Sequence, residues 1–148
     1  MNVLVDTPVW SLVLRRQAAR LTSEQRVCRE ELSELIREGR VAIIGPIRQE
    51  LLSGFRERDQ FDRLKEHLRL YQDAVLASED YEDAARLHNR CAAAGVAGSA
   101  VDLLICAAAI RRGWQIFTLD KDFQRYARHA PIALFERRRP LEPPMNAD

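Results

Sequence analysis

Five acids, Asp6, Glu50, Asp102, Asp120 and Asp122, suggest chemistry by where they stand in the chain rather than by their number. Asp6 directly follows the apolar run Val3-Leu4-Val5. Glu50 falls in the opening turns of a helix expected after a second apolar run, Val41 to Ile44. Asp102 sits in the first turn of an alanine-rich helix. Asp120, with Asp122 a step farther on, lies just beyond a third run, Trp114 to Phe117. In open α/β sheets ligands collect outside the carboxyl ends of the strands, so neighbouring strands would bring these acids together. Carboxylates so gathered repel, and at least one is driven towards its neutral form. Mg²⁺ or Mn²⁺, which prefer oxygen ligands, would relieve that repulsion. Such an ion also lowers the pKa of a bound water and neutralises charge on a phosphoryl group. Acids, metal and phosphodiester thus form one argument for a nuclease.

Each acid also has an ordinary explanation. Asp6 fits a turn at a strand end, Asp120 a helix N-cap, and Glu50 a solvated helix residue. Ser99-x-x-Asp102 has the spacing of a capping box. The case rests on all of them falling at strand ends or first helical turns, where ionised acids are also favoured by the helix dipole.

The elements that must position these acids alternate. Val3–Val5 reads as a buried strand, with Thr7 as N-cap and Pro8 as first residue of the helix that follows. Helical periodicity runs from Ser23 to about Glu38 and is closed by Gly39. After the Val41–Ile44 strand come Gly45-Pro46 and the helix of Glu50. Amphipathic helices are expected around Phe61–Tyr71 and over residues 79 to about 93, followed by Val101–Arg111, whose continuous apolar character implies burial. Trp114–Phe117 is a third strand, Asp120 opens a short helix, and Ile132–Phe135 is a last strand. This alternation predicts an α/β fold with a mostly parallel sheet, in a single domain over residues 1–136. The tail, 137–148, contains Arg137-Arg138-Arg139 and three prolines and is expected to be frayed and solvated.

At 148 residues the chain suits one domain, and 47% hydrophobic with 30% charged residues is a soluble globular balance. No apolar run approaches the roughly 20 residues of a membrane span, and no leader of signal-peptide type precedes Asp6, so a cytoplasmic protein without membrane contact is expected. Cys28, Cys91 and Cys106 lie in apolar helical patterns and read as buried thiols. His88 shares a stripe with Tyr81, Ala84 and Cys91 and reads as partly buried. A net charge of +1 argues against a globally basic nucleic-acid-binding surface, while the 23 basic and 22 acidic residues leave room for segregation, with acids inside a site and arginines around it.

Four segments together resemble the PIN-domain family and, within it, VapC-like toxins: Val3-Leu4-Val5-Asp6-Thr7-Pro8-Val9-Trp10; Arg48-Gln49-Glu50-Leu51-Leu52-Ser53-Gly54; Val101 to Ala109 with Asp102; and Ile116 to Phe123, the T-x-D-x-D-F segment being the most specific. Their order agrees with the family up to about residue 136. The resemblance implies a three-layer α/β/α fold around a sheet of four to five strands. It implies an acidic quartet of Asp6, Glu50, Asp102 and Asp120, with Asp122 as a fifth acid and Thr7 and Thr118 supporting the first and last. It further implies Mg²⁺- or Mn²⁺-dependent cleavage of structured RNA, such as transfer or ribosomal RNA, leaving a 5′-phosphate and a 3′-hydroxyl. A homodimer and a cognate VapB-like antitoxin follow from the same resemblance. Arg15, Arg16, Arg48, Arg56 and Lys121 lie near the expected site in sequence and are candidates for holding RNA phosphates, with solvated surface charge as the plain alternative. Trp10 reads as core. A receiver-type phosphoacceptor would place adjacent acids after its first strand, whereas Asp6 stands alone. A catalytically silent PIN scaffold that binds RNA or protein is the main alternative, and retention of the whole quartet argues against it.

Overall fold

The structure, a computed structural model, describes residues 1–14 and 18–140. Its elements follow one another as β1 (Val3–Val5), α1 (Thr7–Leu14), α2 (Ser23–Arg37), β2 (Val41–Ala42), α3 (Gly45–Ser53), α4 (Arg58–Leu68), α5 (Ser78–Ala93), α6 (Ala100–Arg112), β3 (Gln115–Phe117), α7 (Asp122–Tyr126) and β4 (Ala133–Leu134). The sheet has four strands in the order β2-β1-β3-β4, every pair parallel. With helices on both faces it is the expected three-layer α/β/α architecture.

β1 is central, and Val3, Leu4 and Val5 are all fully buried, as an interior parallel strand covered on both faces requires. Its register with β3 pairs Val3 with Gln115, Leu4 with Ile116 and Val5 with Phe117. The next step past that ladder puts Asp6 opposite Thr118, and the Asp6 N–H still donates to the Phe117 carbonyl at 2.9 Å. α6 packs along α5 and onto β3, and α1 packs on α2 and α3. The middle of α6 is apolar on all sides, Leu103 to Ala109 being buried without a break, so the helix is packed against both α5 and the sheet.

Local signals account for most boundaries. Thr22 caps α2 in a full capping box: Gln25 N–H donates to Thr22 Oγ1 at 3.1 Å, and Thr22 N–H donates to Gln25 Oε1 at 3.0 Å. Gly113 ends α6 at φ +69°, a left-handed conformation that glycine adopts without steric cost. Four expectations shift. Thr7 is the first helical residue rather than the cap; the cap position falls to Asp6, whose carbonyl accepts from Trp10 N–H at 3.2 Å. β2 and β4 are shorter than their apolar runs. Beyond β2, Ile43 makes an isolated parallel bridge with Asp73. α7 begins at Asp122, because Asp120 spends its carboxylate on the Asp122 N–H at 2.9 Å instead of entering the helix. His88 is exposed rather than half-buried, since α5 turns Ala84, Leu87 and Cys91 inward.

The arginine-rich segment also differs from expectation. Arg138 and Arg139 stay part-exposed but are anchored rather than frayed: both backbone N–H groups donate to Oε1 of Glu31, at 2.7 and 2.9 Å. The Arg138 guanidinium adds a bond to Glu31 Oε2 at 2.9 Å. Glu31 is itself fully buried, so the chain after β4 is strapped across α2. Residues 141–148, the rest of the expected frayed tail, lie outside the described residues. Among the described residues no helix is long and apolar enough to cross a membrane.

Candidate active site

Asp6 stands where the strand hands over to the helix, and only 6% of its surface remains exposed. Its Oδ1 accepts from Thr7 N–H at 2.8 Å, and its Oδ2 accepts from the Thr118 hydroxyl at 2.9 Å. Thr118 Oγ1 in turn accepts from Asp120 N–H at 3.0 Å. That bond leaves the Thr118 proton free to point at Asp6, so a backbone amide beyond β3 orients a carboxylate beyond β1. Burial raises the Asp6 carboxyl to about 6, against the lowering effect of its two hydrogen bonds, and the charges of Asp102 and Glu50 push the same way as burial.

Asp102 lies half-buried in the first turn of α6. Its N–H donates to Ser99 Oγ at 3.1 Å, which is the N-cap half of the expected capping box. The carboxylate is engaged elsewhere: Oδ2 accepts from the hydroxyl of Tyr126 at 2.9 Å. Burial raises the Asp102 pKa, and the charges of Asp120 and Asp122 raise it further. Asp6, Glu50, Asp102, Asp120 and Asp122 therefore share one electrostatic neighbourhood. Glu50 and Asp120 are exposed at its rim, and Asp122 is half-buried.

Tyr126 escaped the sequence reading. It is 1% exposed, and a buried tyrosine hydroxyl requires a partner; the signal was the i, i+3 apolar pair of Phe123 and Tyr126 beside the last acids. Gly98 is the other missed residue. A Cβ there would meet Leu103 Cδ2 at 2.2 Å and Tyr126 Cε1 at 3.2 Å, so its lack of a side chain lets the loop before α6 close over the tyrosine that holds Asp102.

The basic candidates separate. Arg48 is committed to structure: Nε donates to Asp73 at 2.8 Å, Nη1 to the Leu68 carbonyl at 2.9 Å, and Nη2 to the Tyr71 carbonyl. The guanidinium pins the turn after α4, which removes it from the set available to RNA. Lys121 is exposed between Asp120 and Asp122. Arg56 is exposed after α3, and Arg15 and Arg16 lie outside the described residues. Trp10 is fully buried and stacks at a tilt on Tyr71, 5.1 Å between centroids.

The acids' lack of cationic partners sets this site apart. Three acids are buried among the described residues. Asp80 is held by Arg112 at 2.7 Å and Glu31 by Arg138 at 2.9 Å. Asp6 has no Lys or Arg partner among the described residues, and neither have Glu50, Asp102, Asp120 and Asp122. Thr7 Oγ1, next to Asp6, is buried with no hydrogen-bond partner. Oxygen donors carrying uncompensated negative charge fit a hard divalent cation. As they stand, no three of the described acids are arranged to enclose one. Mutual repulsion and the bonds from Thr118, Tyr126 and the Asp122 amide account for that spread, and side-chain rotation would have to close it.

Comparison with known proteins bears on the family and the fold. The PIN domain profile matches residues 3–129. The structure of FitAcB from Neisseria gonorrhoeae is 22% identical, covers 90% of this chain and 96% of its own, and superposes with a TM-score of 0.71. VapBC2 from Rickettsia felis, solved bound to a DNA fragment from its promoter, is 16% identical over 91% of this chain and 98% of its own, with a TM-score of 0.70. A toxin–antitoxin complex from Klebsiella pneumoniae is 17% identical, covering 82% and 90%, with a TM-score of 0.62.

Proposed function

Since the chain belongs to the PIN domain family, we propose that it is a Mg²⁺- or Mn²⁺-dependent endoribonuclease and the toxin of a toxin–antitoxin pair, with the nuclease domain over residues 1–136. The observation that carries the reading is the contrast among buried acids: Glu31 and Asp80 have arginines, whereas Asp6 sits among further acids with none. Asp6, Asp102 and Asp120 would hold the ion, with Asp122 beside them. When bound, the ion supplies a water of lowered pKa and neutralises charge building on the phosphoryl oxygens.

The chain's own residues do the rest. Thr118 holds Asp6 and Tyr126 holds Asp102 in the metal-free chain, so two carboxylates from different elements are kept at one strand end and would rotate from these bonds onto the ion. Glu50, exposed and without an ion-pair partner among the described residues, is the acid free to accept the proton that the attacking water loses. Lys121, exposed between Asp120 and Asp122, would meet a phosphate next to the acids. The RNA substrate, a VapB-like antitoxin and a homodimer complete the reading. Its support is the family together with a fold shared with a toxin–antitoxin complex.

The test is cleavage of transfer and ribosomal RNA by the purified chain, with Mg²⁺ and with EDTA, beside Asp102→Asn. The expected result is cleavage that requires metal and drops by at least about a hundredfold in the variant, the scale for losing a general acid–base or charge-stabilising group. Equal activity in EDTA, or in the variant, overturns the reading. The toxin assignment is checked by expression alone and together with the neighbouring small reading frame; growth arrest relieved by a co-purifying partner is expected.

A further inference from the structure

A cleft of about 400 Å³ opens on the α2 side of β3, in the range of about 300–1,000 Å³ typical of ligand sites. Thr118, the residue that orients Asp6, is part of its wall, along with two acids, Glu24 and Glu136, the apolar Phe117, Leu119 and Phe135, and Arg137. The cleft and the acids therefore share one strand end. What fills it is decided by the strap. The triple arginine divides into two anchors and one open cation. Arg138 is spent on Glu31 and Glu38, both at 2.9 Å, and Arg139 on Glu34 at 2.6 Å. Arg137 alone of the three lines the cleft, and its one ion pair among the described residues, to Glu24, is long at 3.4 Å with both side chains open to water. Exposed pairs of this kind are worth little, about 0–1 kcal/mol, so an incoming anion can take the guanidinium. The Glu31 clamp one residue on holds it in place at small entropic cost.

Resting on the nuclease reading, we propose that this cleft is a substrate subsite: it takes a nucleotide next to the scissile phosphate of RNA, with Arg137 on that nucleotide's phosphate and Glu24 as the internal anion it displaces. Guanidinium binds phosphate with paired, charge-assisted hydrogen bonds. Phe117 is buried and packs on Phe135 at 4.9 Å between centroids. The wall therefore offers the half-buried side of Leu119 and the edge of Phe135 to the nucleotide's sugar and base rather than a stacking face, an apolar contact that a peptide carboxylate would leave unfilled.

The assignment makes predictions of opposite sign for two neighbours. Binding of a short fluorescein-labelled single-stranded RNA of random sequence is followed by anisotropy at fixed Mg²⁺, using Asp102→Asn protein to prevent turnover. Arg137→Ala is expected to weaken binding about tenfold, the lower end for a charged hydrogen bond, and to flatten the potassium-salt dependence by roughly 0.7 in log–log slope, one phosphate's share. Glu24→Gln is expected to tighten binding by a fewfold, and Arg139→Ala, which keeps its backbone bond to Glu31, to leave it unchanged. In otherwise wild-type protein, Arg137→Ala raises KM more than it lowers kcat. Thermal melts report whether each variant keeps the fold. Unchanged RNA binding by Arg137→Ala overturns the subsite, as does equal weakening by Glu24→Gln or no RNA binding at all. Loss of a co-expressed protein partner with RNA binding intact also overturns it and gives the cleft to that protein. RNA binding that follows these signs without cleavage by the wild type would sink the nuclease reading instead.

Discussion

Asp6 concentrates the competing demands at the residue scale. Its carboxyl is desolvated and surrounded by like charge, and its pKa is raised to about 6 from 3.8. The folded chain therefore binds this proton more tightly than the unfolded chain. Protonation adds stability that is fully present below 3.8 and is lost as pH rises through about 6. Shifts of this size correspond to a few kcal/mol, at about 1.4 kcal/mol per pH unit. Asn cannot ionise, but it replaces one acceptor oxygen by a donor and so weakens the bond from Thr118. Asp6→Asn is expected to stabilise the metal-free protein by on the order of 1 kcal/mol at pH 7, to flatten its stability between pH 4 and 7, and to abolish RNA cleavage. Urea titrations in EDTA at several pH values check the first two, and a variant less stable than wild type at pH 7 would contradict the account.

The opposite arrangement appears at the scale of elements, where α5 meets α6. Asp80, in the first turn of α5, is fully buried, and both of its oxygens take bonds from Arg112 at the end of α6, at 2.7 and 3.0 Å. Oδ2 also accepts from Ala77 N–H at 2.8 Å. The Arg112 bonds hold its pKa below 3.8, burial acting against them. Here the stability is present above 3.8 and is lost as pH falls through the depressed folded value, the reverse of Asp6. Because α6 carries Asp102 at its other end, this pair fixes the helix that presents the site. Asp80→Asn is expected to cost about 2–4 kcal/mol, since it leaves a largely buried guanidinium with only the neutral carbonyls of Ala108 and Val75 for partners. Denaturant midpoints measure this, and a cost below about 1 kcal/mol, typical of an exposed pair, would show that the helices are held otherwise.

For the whole molecule, the consequence of unpaired acids is that stability should depend on metal. An ion that binds only the folded cluster stabilises by about 2.7 kcal/mol at a hundred times its Kd. In a domain of this size that is a rise in Tm of roughly 5–10 °C. Mn²⁺ is expected to produce such a rise in the wild type and a much smaller one in Asp6→Asn, read by thermal melts against an EDTA blank. An equal rise in both would place the binding elsewhere on the molecule.

Much of this was legible along the chain because burial and capping are local. The apolar runs identified every strand, the helical periodicity every long helix, and each of the five acids was placed at a strand end or helix start before any strand was paired. Pairing was not legible. Asp6 and Thr118 are separated by 112 positions, and only the parallel register of β1 with β3 makes them neighbours, because such strands are joined through long crossovers whose sequence does not encode register. Long side chains were the other gap. Arg48 reads like any solvated arginine, yet three acceptors between Leu68 and Asp73 claim it. Arg137, Arg138 and Arg139 are identical in sequence terms, and only the approach of α2 turns two of them into anchors and leaves the third facing a cleft. A flexible guanidinium is defined by whichever carboxylates and carbonyls the fold brings within reach, and that is decided by tertiary structure alone.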